Sequence, residues 1–341
     1  MTRHNISNRT GYWHWFWLLC VLAIAVVIAL FAGKYPLTWA ELAAAISAPF
    51  SADGAESTAY TVVWQLRFPR IVAAILVGAG LAAAGAAYQG MFRNPLVSPD
   101  ILGVSAGAGL GAVVAIYLGL SLLWVQMLAF VGGLLAVLFV YVIARMVRRH
   151  DPVLVLVLAG VAVGSLLGAG ISLVKVLADP YSQLSVITFW LLGGLNSINQ
   201  TEMLWALPWM LAGLVPLLLL RWRINLLSLP DEEAQMLGVP VQRLRVVLIV
   251  AATLLTASAI SFTGIIGWVG LVIPHVARLL VGPNFSRLLP TSLLLGGIFL
   301  LLTDTLARTA APIELPLGVL TSLVGAPFFL FLLARTSRAE K

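Results

Sequence analysis

The sequence predicts an all-α polytopic membrane protein of about ten transmembrane helices. Hydrophobic residues make up 61% of the 341 and charged residues 10%, against about 25% charged in a soluble domain. Mean hydropathy is +1.03. Apolar stretches of near span length recur along the chain, without the two-residue alternation of a barrel. It reads as one membrane domain, residues 1–341. Cys20 is the single cysteine, so an intrachain disulfide and a cysteine-based metal site are both excluded. A net charge of +7 would suggest nucleic acid in a soluble protein; here it reflects arginines in cytoplasmic loops, and no nucleic-acid partner is expected.

In chain order, Arg3 and Arg9 precede a first span at about Trp13–Phe31. No A-x-A site follows, so it reads as an uncleaved anchor, with Trp13, Trp15 and Trp17 as an interfacial belt. An external loop with a short helix near Trp39–Ile46 leads to Arg67-Phe68-Pro69-Arg70 and a second span to about Tyr88. Asn94–Pro99 breaks it, and a third span covers Ile101–Leu118. The fourth is Leu122–Ala144 and the fifth Val153–Val176. Ala178–Asn199, interrupted by Gly193-Gly194, reads as a helix outside or re-entering the bilayer. The sixth span is Met203–Leu220, the seventh Val246–Phe262, the eighth Trp268–Leu280, the ninth Pro290–Thr305 and the tenth Leu317–Leu333.

Ten spans put both basic termini on one side. With that side cytoplasmic, fifteen of twenty Lys and Arg fall inside. Five fall outside: Lys34, Arg67, Arg70, Lys175 and Arg308. That bias obeys the positive-inside rule.

Between the sixth and seventh spans lies a charged island, Leu227–Arg245, with the run Asp231, Glu232 and Glu233. Ser228 followed by Asp231 reads as a capping-type helix start, and Gly238 then Pro240 end the helix about two turns later. Leu229, Met236 and Leu237 share one arc, opposite Asp231 and Gln235. Such a helix suits a partner's surface, and an ordinary solvated loop is the other reading.

Small residues recur every four positions: Gly103, Gly107 and Gly111; Gly160, Gly164 and Gly168; and, less strictly, Ala82, Ala86 and Gly90. They allow close helix packing, or line a wide passage. Gly103–Gly107 matches G-x-S-x-G, but that elbow needs a strand-to-helix turn and Ser105 opens a membrane helix. His275 reads as a packing or hydrogen-bonding group. No P-loop and no metal-ligand cluster is present, so any ATP is handled by another chain. Asp304 and Arg308, and Lys175 and Asp179, stand four apart and can pair. Arg67 and Arg70 have no acid nearby in sequence, and read as an external dock for carboxylates.

Leu66–Arg70, Asn94-Pro95-Leu96, Leu102–Ala108, Leu192-Gly193-Gly194, Gly264–Arg278 and Glu314–Gly318 together resemble the FecCD family. These are permease subunits of type II ABC importers for iron–siderophores, haem and cobalamin. The resemblance runs from about Trp64 to Leu333. It implies a ten-helix inner-membrane permease, paired with a second copy or a close homologue, with two ATP-binding subunits inside and a periplasmic solute-binding protein outside. Residues 226–240 would be the coupling helices, with Ser228, Asp231, Glu232, Glu233, Met236, Leu237 and Gly238 seating on the ATPase. Arg67, Arg70 and Arg308 would dock the binding protein, although Asp304 is a rival partner for Arg308. Asn94, Pro95 and Leu96 would belong to the cytoplasmic gate, and Gly160, Gly164 and Gly168 to the passage.

The chain itself would bind no cofactor, ATP and Mg belonging to the ATPase, and would have no catalytic residue. Ferric siderophore is the first expectation for substrate, with haem, cobalamin and molybdate compatible. An ion-coupled secondary transporter is the alternative, and it lacks the series of buried carboxylates that a proton relay uses.

Overall fold

In lipid every backbone N–H and C=O must find a partner within the protein, so apolar runs of this length fold as helices. The computed structural model describes residues 6–48, 57–147, 152–196, 198 and 200–339, and among these no strand occurs. Arg3, Arg148, Arg149, Asn199 and Lys341 lie outside them, as do the side chains of Arg9, Arg335 and Arg338. The helices are α1 (Ile6–Phe31), α2 (Trp39–Ser47), α3 (Thr58–Tyr60), α4 (Phe68–Met91), α5 (Val104–Tyr117), α6 (Leu122–Met146), α7 (Pro152–Leu177) and α8 (Gln183–Leu192). There follow α9 (Gln200–Asn225), α10 (Asp231–Met236), α11 (Val241–Thr263), α12 (Val269–Val281), α13 (Phe285–Thr309) and α14 (Leu317–Ala339). Among the described residues seven helical segments are long and apolar enough to cross a membrane. The third, eighth and tenth expected spans correspond to shorter apolar helices: α5, α12 and the Leu317–Phe331 part of α14. The Ala178–Asn199 stretch supplies another short one, α8.

The second span begins earlier than Phe-Pro suggests. Ser57 caps α3 by accepting from the Tyr60 amide, and a π-turn over Thr61–Arg67 carries the helix into α4. The Phe68 amide bonds back to the Val63 carbonyl, five residues away. That wider spacing accommodates the Pro69 ring, which would clash with a carbonyl in a regular turn. In the external loop, Thr38 and Glu41 form a reciprocal cap that starts α2. At the chain's start Trp13 and Trp17 point outward, whereas Trp15 turns inward and its Nε1 donates to Thr291 Oγ1 at 3.0 Å. Only part of the expected tryptophan belt is therefore exposed.

The centre of the bundle is α4, which packs on α13, α11, α12 and α9. Ala82, Ala83, Ala84, Ala86 and Ala87 are fully buried along it. Lipid tails are as apolar as leucine, so helices gain by approaching closely rather than by leaving solvent. A Cβ added at Gly85 would stand 1.8 Å from the Gly270 carbonyl oxygen, and one at Gly78 would stand 2.1 Å from that of Gly296. The glycine ladders divide by the same measure. Gly107 and Gly111 seat α5 on α6, and Gly160 meets the Ile101 carbonyl at 2.0 Å from an added Cβ. Gly164 has only a 3.9 Å neighbour and Gly168 has none within 4 Å.

Replacing Gly85 by Val should therefore cost at least the ~1–3 kcal/mol of an overpacked core, read as a lower thermal unfolding midpoint in detergent. Gly168→Ala should leave the midpoint within the scatter of about 0.5 kcal/mol expected of a permissive site.

Candidate functional site

Charged side chains gather at the two ends of α4. At one end the first turn of α4 presents Arg70 to α13. Its Nε lies 2.9 and 3.1 Å from the two carboxylate oxygens of Asp304, its Nη2 2.9 Å from Oδ1, and its Nη1 2.9 Å from Glu314 Oε2. The Asp304 side chain has no solvent exposure, that of Arg70 12% and that of Glu314 35%. Arg308, one turn along α13, places Nε 3.2 Å from Asp304 Oδ2 without hydrogen-bond alignment. Its Nη1 and Nη2 donate to the carbonyls of Ala32 and Ala29 at 3.1 and 3.3 Å. A buried carboxylate is stable here because two guanidiniums enclose it.

This geometry separates the three arginines. Arg67 is buried, and its guanidinium donates to the carbonyls of Leu30, Phe31 and Tyr35, clamping the chain that leaves α1. Arg308 is buried and committed to Asp304 and the end of α1. Only Arg70 reaches a rim. It and Glu314 line a cavity of about 410 Å³ together with Asn196, Ser261 and Thr263. Lys34, another residue expected outside, stands at this end with Nζ 2.8 Å from the Pro312 carbonyl. Asp179 does not turn to Lys175. It accepts from Ser182 Oγ at 2.6 Å and the Tyr181 amide at 2.9 Å, bonds that hold its carboxyl below the usual carboxylate range.

At the other end of α4 the charged island folds as a 3₁₀ turn, Leu226–Ser228, followed by α10. Ser228 is not the cap: its Oγ donates to the Asn225 carbonyl at 2.7 Å, and Pro230 holds the N-cap position with extended ψ. Instead Asp231, Glu232 and Glu233 occupy the first turn, where carboxylates complement the helix dipole. Gly238, at φ +78°, closes the helix; its amide bonds to the Gln235 carbonyl and that of Val239 to Ala234. Ala234 and Val239 are buried, while Met236 is 86% exposed and Leu237 61%.

Asp231 is the joint of this end. Arg245 of α11 grips both its oxygens at 2.7 and 2.8 Å, and Arg93 Nη2 reaches Oδ1 at 2.7 Å. Arg93, in the left-handed region at φ +51°, also donates from Nε to the Leu227 carbonyl at 2.7 Å. The residues after it form the expected turn: Asn94 Oδ1 accepts from the Leu96 amide at 2.9 Å, and Asn94, Pro95 and Leu96 are exposed. So α10, α11 and the turn after α4 meet at one carboxylate.

Arg93 and Arg245 carry no sign of this role in the sequence beyond their charge. Gln89 is likewise inconspicuous there; it is buried and donates to the Leu271 carbonyl at 3.1 Å while accepting from Arg278 Nη2 at 3.0 Å. A glutamine in the last turn of an apolar, alanine-rich helix was the available signal. Ser105 follows a 3₁₀ turn, not a strand, and its hydroxyl donates to Asp100. Among the described residues no cluster of three or more His, Cys, Asp or Glu suits a metal.

Membrane-length helices, charges sorted to opposite ends of a central helix, and a clamped polar helix with an apolar tip define a polytopic transport protein. The FecCD transport family matches residues 21–335, and the chain belongs to that family. A Helicobacter pylori protein named as a permease of an iron chelatin transport system is 42% identical over 321 residues, 94% of this chain and 97% of the relative. The molybdate import system permease protein MolB of Haemophilus influenzae is 39% identical over 326 residues, 95% and 96% of the two chains. A solved metal-chelate type ABC transporter in an inward-facing conformation superposes with TM-score 0.85 at 37% identity, covering 94% of this chain and 98% of its own.

Asp304→Ala would leave two arginines without their buried counter-charge. It should cost about 3–5 kcal/mol, measured as a fall in unfolding midpoint. Glu314→Gln, at the partly exposed rim, should change stability by less than about 1 kcal/mol.

Proposed function

We propose that this chain is the permease subunit of an ATP-driven importer that carries a metal chelate from the periplasm into the cytoplasm. It is no enzyme; two ATP-binding subunits supply the work, and a periplasmic solute-binding protein delivers the cargo. A second permease copy completes the passage between the exposed faces of the two chains. The chain lies in the bacterial inner membrane with both termini cytoplasmic. Among cargoes, a ferric siderophore is the reading preferred, in line with the name of the H. pylori relative.

The observation that carries the proposal is the tip of α10. Met236 and Leu237 are presented to solvent on a six-residue helix whose other side is anchored by Ala234 and by the Asp231 clamp. An exposed apolar pair on a clamped support suits a groove in another protein. The same clamp passes any push to the Arg93–Leu96 turn and to α11 as rigid-body motion. ATP-driven closing of the ATPase pair would thereby open and shut the passage by alternating access. At the opposite end the partly exposed rim, Arg70 with Glu314, is the part of the arginine cluster that a binding protein's carboxylates would meet; Arg308 shares Asp304 with it beneath the rim.

The test is reconstitution with the partner ATPase and binding protein. Met236→Asp with Leu237→Asp should weaken ATPase association about 10- to 100-fold, as expected from losing ~1.5–3 kcal/mol of apolar burial. ATP-dependent uptake should fall with it, while the unfolding midpoint of the permease stays unchanged. Uptake that persists without any ATPase and collapses with a protonophore would refute the proposal.

A further inference from the structure

Between the ends of α4, α9, α12 and α13, on the α10 side of the bundle, lies an open groove of about 910 Å³. Arg93, Arg223 and Arg278 line it, and no aspartate or glutamate does. Arg93 is answered by Asp231. Arg278 is not answered: it forms no ion pair among the described residues, its Nη2 is spent on the neutral Gln89 side chain, and its Nη1 is buried without a hydrogen-bond partner. A guanidinium held at a membrane boundary with a free donor is costly, and such groups pair with an anion or line a polar path.

The surroundings specify the anion. Asn225 Nδ2 bonds to Asn284 Oδ1 at 3.3 Å, which ties the α9 and α13 sides of the groove together. Phe285 and Leu288 give it a buried apolar floor. Trp222, 69% exposed, lines the groove, and Leu219, 77% exposed, stands about one turn earlier on α9. An exposed tryptophan next to arginines marks headgroup depth. A cationic recess whose apolar side continues into the hydrocarbon region fits an acidic lipid better than a soluble anion.

We infer that this groove binds the phosphodiester of an anionic phospholipid from the cytoplasmic leaflet, with Arg278 and Arg223 on the phosphate and the acyl chains along α9. The inference rests on the proposed function only for which leaflet the groove faces. Its test uses neither ATPase nor binding protein, so the two fail separately.

The full chain is purified from bilayers of mixed phosphatidylcholine and phosphatidylglycerol, and the retained lipid is counted by native mass spectrometry. Wild type should retain phosphatidylglycerol in preference to phosphatidylcholine. Arg278→Gln should cut that preference about tenfold. Arg223→Gln changes an exposed side chain and keeps the test usable should the Arg278 variant fail to fold; it should lower retention in the same direction. Arg145→Gln, at the end of α6 and outside the groove, should have no effect. Equal retention of both lipids, or a preference unchanged in folded Arg278→Gln and Arg223→Gln, would overturn the assignment. So would stabilisation by millimolar inorganic phosphate with no lipid retained, which would mark the site as one for a soluble anion.

Discussion

A helix can occupy the centre of a lipid-embedded bundle only if its neighbours approach nearer than ordinary side chains allow. In this protein that requirement falls on α4. Its glycines bring the backbones of α12 and α13 to distances where a single methyl group would collide with a carbonyl oxygen. Dispersion contacts at that range are individually weak but numerous, and in lipid they stand in for the hydrophobic effect. The ion pairs among the described residues then fall at the two ends of this helix.

The two end clusters follow one pattern with different consequences. Asp304 is sealed from solvent between Arg70 and Arg308, so its geometry is fixed by the cost of exposing or orphaning any member. Asp231, with a third of its side chain exposed, joins helices that belong to different parts of the chain. The first cluster consolidates a platform. The second couples a helix with an exposed tip to the turn that follows α4.

Much of this was legible in the sequence, and the failures have physical causes. The spans were readable because long apolar runs have one stable form in lipid, and the helical character of the charged island because Gly238 and Pro240 stop it. Its start was misread: Ser228 matches a cap by spacing, yet Pro230 takes the cap position and Ser228 turns to the preceding 3₁₀ turn. The partners of the arginines were hidden for a different reason. Arg67 and Arg70 have no acid close in sequence, but the fold brings Asp304 and Glu314 to Arg70 across 234 and 244 residues, and backbone carbonyls to Arg67. Spacing along a chain carries no information about such partners. The glycine ladders were read as packing or passage, and the structure assigns Gly160 to packing and leaves Gly168 open.

From Arg70 to Met91, the last residue of α4 before the turn that carries Arg93, there is about 32 Å of helix at 1.5 Å per residue. Helices resist stretching far more than tilting, so a shift of a few ångström at one end swings the rod by only about 5°. A displacement at one end cluster is therefore carried along α4 to the other end cluster.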